Sequence, residues 1–333
     1  MGKRNTVIDL AKYIASIMIV AIHTGLFSDV DATLNFVAVH IICRVAVPFF
    51  AVCTGYFLAL RLEFGETLHK SCHNIEIFLK QWKKLVLMYA VWSVLYLFYS
   101  IPMWIKIGWF SPFAFVDYAV AAVTTGSHYH FWYLWGMIYI LPIFYVLLRI
   151  CRKKYWIYVI VSLWLVKVVS YAYTRLVTEK LVILIQKIGV ITCLLPMLLM
   201  GALISVQKEK SLRFYAVGLI LSVTGLAVEA FALRRLGQEA VSYIVFSLPV
   251  AYYLFSLITR IKTKSNGKVS SYLGATSMFV YCVHPMLVEL TEDVFKSSII
   301  HFGVVAVGAT ALGCGYHFLS KKLFRKKEKL CFN

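Results

Sequence analysis

Lys12 and His23 stand eleven residues apart near the start of the chain. At about 100° per residue that separation is roughly 1100°, three turns plus 20°, so on a helix the two share one face. Asp9 and Ser16 fall near the same stripe, and the polar line extends roughly 16 Å along the axis. An imidazole titrates near neutrality and can take a proton from a hydroxyl. A lysine ammonium binds phosphate as a point charge. The stripe therefore suits transfer chemistry with an anionic donor, against the plainer reading of a satisfied structural polar pair.

Other residues extend the set. Arg44, in Cys43-Arg44-Val45-Ala46-Val47-Pro48-Phe49-Phe50, stays protonated and needs an anion, a bound acid or water; reaching out to the interface is its bland alternative. His130 and Trp132 lie in His128-Tyr129-His130-Phe131-Trp132-Tyr133-Leu134-Trp135, and Tyr281 and His284 in Tyr281-Cys282-Val283-His284-Pro285. Aromatics at such positions also fit an interfacial belt. Lys80, Lys83 and Lys84 precede an apolar run and serve either as topology charges or as a phosphate-binding mouth. Lys167 and Glu229 remain inside apolar stretches, as partners for each other or, for Glu229, with Arg44.

The elements that must position these residues follow from composition. Of 333 residues, 61% are hydrophobic and 15% charged, where a soluble chain carries about 25% charged. This is an integral membrane protein. A net charge of +19 would point to nucleic acid if it formed one face, but the basic residues lie in short clusters between apolar runs, which excludes that partner. Eight cysteines are scattered singly, with neither a disulfide framework nor a metal site in their spacing.

Apolar stretches over 7–27, 36–60, 85–101, 130–148, 155–173, 188–206, 214–233, 240–258, 270–289 and 298–319 predict about ten transmembrane helices in an all-α polytopic bundle. The stretch 101–127, with Pro102 and Pro112, reads as an interfacial loop. The first run is too long and too charged for a signal peptide and reads as a retained helix. Of the 34 Lys+Arg, 24 fall in the loops on the side of the N-terminus and 7 on the opposite side, which places both termini in the cytoplasm. On that topology His23, Arg44, His130 and His284 lie at similar depth in the outer half. With no linker or soluble segment in the sequence, residues 1–333 read as a single membrane domain. The P-loop, GxGxxG, HExxH, CxxC and GxSxG patterns are absent from the sequence, which removes most soluble-enzyme readings.

Together these residues resemble the acyltransferase family 3 of integral membrane acyltransferases, over nearly the whole chain. Lys12-x10-His23 is similar to the family's basic-x10-His signature. Arg44 to Phe50 with Thr54-Gly55-Tyr56-Phe57 resembles its arginine, Pro-Phe-Phe and Ser-Gly-Tyr region. His130-Phe131-Trp132-Tyr133-Leu134 resembles its His-Leu-Trp-Phe-Leu segment, and Tyr281-x-x-His284-Pro285 its late Tyr-x-x-His-Pro. Lys80-x-x-Lys83 stands where the family often has Arg-x-x-Arg, keeping charge but losing bidentate phosphate recognition. Many members carry a further extracytoplasmic hydrolase-like domain, which this sequence is expected to lack. The first helix is also similar to the membrane part of vancomycin-resistance serine racemases, a branch whose resemblance implies outward movement of serine.

The resemblance implies a multi-pass protein of a bacterial plasma membrane that moves an acyl group, acetyl first, from cytoplasmic acyl-CoA to a hydroxyl of an extracytoplasmic glycan or glycolipid. Acyl-CoA is then a co-substrate, and no bound cofactor is expected. His23, Arg44 and His284 would act at the reacting centre, Lys12, Lys80 and Lys83 on donor phosphate, and His130, Trp132 and Tyr281 toward the acceptor. A homo-oligomer is compatible with the sequence. The competing reading is an exporter of a small polar solute such as an amino acid, using the same pocket.

Overall fold

The computed structural model describes residues 5–238, 242–261 and 268–331. Lys3, Arg4, Lys262 and Lys264, which carry part of the charge reading, lie outside them, as do the side chains of Lys268, Lys321 and the basic residues from Arg325 to Lys329. The described chain is all helical, with only an isolated bridge between Phe64 and Leu68 in place of a strand. Its α-helices are α1 (Thr6–His23), α2 (Ala32–Asn35), α3 (Ala46–Ala59), α4 (Cys72–Lys106), α5 (Pro112–Thr124), α6 (Trp132–Ile150), α7 (Trp156–Tyr171), α8 (Glu179–Lys187), α9 (Gly189–Val206), α10 (Leu212–Arg235), α11 (Ser247–Arg260), α12 (Lys268–Thr291) and α13 (Ser298–Cys331).

Among the described residues, nine stretches are long and apolar enough to cross a membrane, so the protein is an all-α polytopic membrane bundle. The stretch expected as a further span over 240–258 forms the 14-residue α11, about 21 Å long at 1.5 Å per residue and short of a 30 Å hydrocarbon core. The stretch 101–127, expected as a loop, is largely helical. Pro102 lies inside α4 and Pro112 opens α5, where its missing N–H costs no ladder bond. Proline is likewise absorbed in α6. Pro142 cannot donate to the Ile138 carbonyl, and the Trp82 indole N–H donates to that oxygen instead, at 2.9 Å.

The fold gathers into two compact units, Met1–Phe50 with Glu209–Asn333, and Ala51–Lys208. In the first, α1 packs along α12, α12 along α13, and α10 along α11. Gly274 of α12 makes the α1 contact close: a Cβ there would stand 2.5 Å from Asp9 Cβ and 2.7 Å from the Asp9 carbonyl oxygen. Side-chain bonds tie in α13, with the Tyr13 and Thr310 hydroxyls 3.0 Å apart and the Tyr272 hydroxyl donating to the Cys314 carbonyl at 2.7 Å. In the second unit α9 is the buried centre, flanked by α6 and α7. The α3 backbone meets α9 directly through Gly55 and Gly201, the small-residue packing that membrane helices use without a hydrophobic drive between them.

Two expectations follow. Gly274→Ala forces the α1 and α12 backbones apart, and detergent-solubilised protein should lose about 1–3 kcal/mol of unfolding stability; an unchanged midpoint would deny the close contact. At the start of α13, the Ser298 hydroxyl and N–H both donate to Asp29 Oδ1, the N–H at 3.1 Å. These bonds, the hydroxyl's first, hold the Asp29 carboxyl below its ordinary value of 3.8. A lowered acid contributes stability above the ordinary carboxylate range and loses it as pH falls through the lowered value. Unfolding scans below about pH 4 should therefore show a steeper loss in the parent protein than in Asp29→Asn.

Candidate functional site

The site begins with α1. Asn5 caps its N-terminus, accepting from the Val7 and Ile8 N–H groups at 3.0 and 3.3 Å, and the helix runs unbroken from Thr6 to His23. Its polar stripe is turned into the protein. Asp9 is 6% exposed and Ser16 fully buried, while Lys12 and His23 are half-buried. The Ser16 hydroxyl donates to the Tyr13 carbonyl at 2.7 Å. Lys12 Nζ lies 3.8 Å from the Asp9 carboxylate, an i, i+3 pair on one helical face.

At the far end of α1, His23 meets α12. The His23 and His284 rings are 5.2 Å apart, and Tyr281, one turn earlier on α12, lies 6.2 Å from His284. His284 is completely buried. Its Nδ1 is 3.2 Å from the Val280 carbonyl, which can only accept, so Nδ1 carries the hydrogen and Nε2 of the neutral ring is an acceptor. Pro285 has no N–H to give the Tyr281 carbonyl, which loosens α12 at this pocket. The structure thus brings His23, His284 and Tyr281 together, with proton-accepting capacity on two adjacent helices.

Arg44 sits where its helix is irregular. Phe36–Ile42 is wound as a π-helix and Cys43–Val45 as a 3-10 turn before α3 begins. Pro48 removes the N–H that would bond the Arg44 carbonyl, and the ladder tightens just ahead of it. Mid-helix irregularities of this kind often accompany functional sites. The Arg44 turn packs against α1. Its side chain is half-buried, and Nε makes no hydrogen bond to a described residue, a cation held where an anion would be stabilised.

Lys80, Lys83, His130 and Trp132 lie in the second unit. Lys80 and Lys83 are exposed on α4 and line an open groove of about 580 Å³ with Cys72, Ile75, Glu76 and Leu79. His130 is 2% exposed in the turn before α6; Trp132 is the half-buried first residue of that helix, its ring 6.2 Å from Tyr133. Neither pairing open to Glu229 in the sequence describes its bonds to the backbone. Its carboxylate accepts from the Val245 and Phe246 N–H groups at 2.8 and 3.0 Å, holding the start of α11, while Lys167 Nζ lies over the Tyr171 ring at 5.3 Å. Sequence reasoning missed Tyr96 and His128, whose rings are 4.5 Å apart.

The family described as the acyltransferase domain matches residues 5–317, and the chain belongs to it. An amino-acid racemase of Enterococcus faecalis is 27% identical, over 100% of this chain and 49% of its own length. A second amino-acid racemase of that organism is 25% identical, over 97% and 46%. A serine/alanine racemase of Enterococcus gallinarum is 24% identical, over 98% and 48%. The chain spans about half the length of the curated relatives it matches. No solved structure matches it.

If the Lys12 and Asp9 contact is an engaged ion pair, a double-mutant cycle with Lys12→Met and Asp9→Asn should return a coupling of about 0.5–3 kcal/mol in unfolding measurements. A coupling of zero would leave Lys12 uncommitted.

Proposed function

We propose that this membrane protein transfers an acyl group, acetyl first, from cytoplasmic acyl-CoA to a hydroxyl of an extracytoplasmic glycan or glycolipid, in a bacterial plasma membrane with both termini inside. Family membership supports acyl transfer. The observation that carries the mechanism is the His23 and His284 contact at 5.2 Å, with one of the two rings fully buried.

In this reading His23 takes the proton of the acceptor hydroxyl as its oxygen attacks the thioester carbonyl carbon. The C–S bond breaks, and the departing thiolate recovers the proton from the imidazolium. His284, oriented by Val280, and Arg44 stabilise the negative charge that develops on the carbonyl oxygen. Such groups are worth most where water is excluded and nothing need reorganise. Lys12 meets the donor phosphates in exchange for part of its contact with Asp9, and Lys80 and Lys83 draw the nucleotide to the open face of α4. His130, Trp132 and Tyr281 serve the acceptor, the tryptophan by stacking on sugar.

A second reading is the exporter that the sequence leaves open, in which the bundle moves a small polar solute across the membrane; the racemase names of the relatives, of which this chain matches about half, bear only on an amino acid as that solute. A transporter has no need of acyl-CoA. The test is release of thiol from acetyl-CoA by the purified protein in nanodiscs prepared with host membrane lipids. Turnover is expected, and His23→Ala should lower it about 10²- to 10⁴-fold. Full turnover in that variant would remove His23 as the base, and no turnover in the parent protein would favour transport.

A further inference from the structure

His128 and His130 flank Tyr129 in the turn between α5 and α6, and their Nδ1 atoms are 3.2 Å apart. Two ring nitrogens make a hydrogen bond only when one carries hydrogen and the other offers a lone pair. A neutral pair therefore shares a single hydrogen. The ring that donates it keeps Nε2 as an acceptor, and the ring that accepts it keeps Nε2–H as a donor. The state of one histidine fixes the state of the other.

The corner that holds this pair is closely built. Tyr96 of α4, fully buried, sets its ring 4.5 Å from His128 and 5.2 Å from His130. The Phe131 ring lies 3.9 Å from His130, and the Tyr129 ring 4.6 Å from His128. Just before the turn, the Ser127 N–H donates to the Tyr89 hydroxyl at 2.9 Å, which itself donates to the Ala122 carbonyl at 2.7 Å. Ser93 and Ser127 hydroxyls meet at 2.8 Å. Gly126 takes φ +115°, and a Cβ there would come within 3.0 Å of the Phe131 backbone, so the chain folds back on itself. His130 is the inner member, His128 the half-buried outer one.

We propose that His128 is a positioning residue for His130: by sharing one hydrogen it sets the tautomer and ring orientation that His130 presents to the acceptor. The assignment of His130 to the acceptor rests on the acyl-transfer reading; the pairing itself does not. Replacing His128 by phenylalanine removes the ring that fixes the shared hydrogen, and His130 is then free to take either tautomer.

The test uses full-length protein with ¹⁵N-labelled histidine in detergent micelles, and His128→Phe and His130→Gln to assign signals. At neutral pH the two rings of the parent protein are expected in complementary single tautomers, one carrying Nδ1–H and the other Nε2–H, and His130 in a mixture of both in His128→Phe. In the acetyl-CoA thiol-release assay His128→Phe should be slower by about tenfold or more, whereas His128→Gln, whose amide oxygen accepts from Nδ1–H, should recover most of the rate. The same tautomer on both rings in the parent protein, or an unchanged His130 tautomer in His128→Phe, would overturn the proposal. If the parent protein shows the complementary tautomers but turns over no acetyl-CoA, the pairing stands and the acyl-transfer reading falls.

Discussion

The close contact of α1 with α12 is the constraint on which the rest of the site depends. Hydrocarbon offers no partners to polar groups, so a helix carrying Asp9, Lys12, Ser16 and His23 is stable in a membrane only if that stripe is turned inward and satisfied. Gly274 lets the α12 backbone reach the Asp9 backbone, and the stripe closes. Asp9 then neutralises Lys12 at one end, and at the other His23 meets a completely buried His284. The charge that makes α1 expensive in lipid is the one that the proposed donor phosphate would meet.

Departures from regular winding supply the rest. A straight α-helix commits each backbone carbonyl to its own ladder, and proline releases one at a chosen place. Pro48 tightens the turn that carries Arg44, Pro285 loosens α12 beside His284, and Pro142 directs a carbonyl to Trp82. Within the second unit, a folded-back turn at Gly126 achieves for His128 and His130 what helical periodicity achieves for Lys12 and His23. It fixes two side chains relative to each other at a spacing no regular helix would bring face to face.

Period made α1 legible from residues alone: eleven residues return a helix nearly to its starting face, and the structure keeps Lys12 and His23 on one helix, with Asp9 ahead of them and Ser16 between them both buried. The helical class followed from composition. What was not legible depends on contacts distant in sequence. Glu229 proved to hold backbone N–H groups of residues 245 and 246, a local cap that no charge count reveals. Pro102 and Pro112 read as breakers because their tolerance depends on position within a helix. Depth agreement permitted His23 and His284 to meet, but only packing selects which helices are neighbours. Tyr96 gave no sign among the aromatics of α4, since one buried ring in an apolar run looks like any other.

Where a donor analogue binds tests the transfer site most directly. A structure of the full chain in nanodiscs with a non-cleavable thioether analogue of acetyl-CoA should place the acyl carbonyl against the His23 and His284 rings and a donor phosphate beside Lys12. An analogue bound elsewhere, with the imidazole of His23 turned to lipid and packed side chains filling the space beside His284, would contradict it.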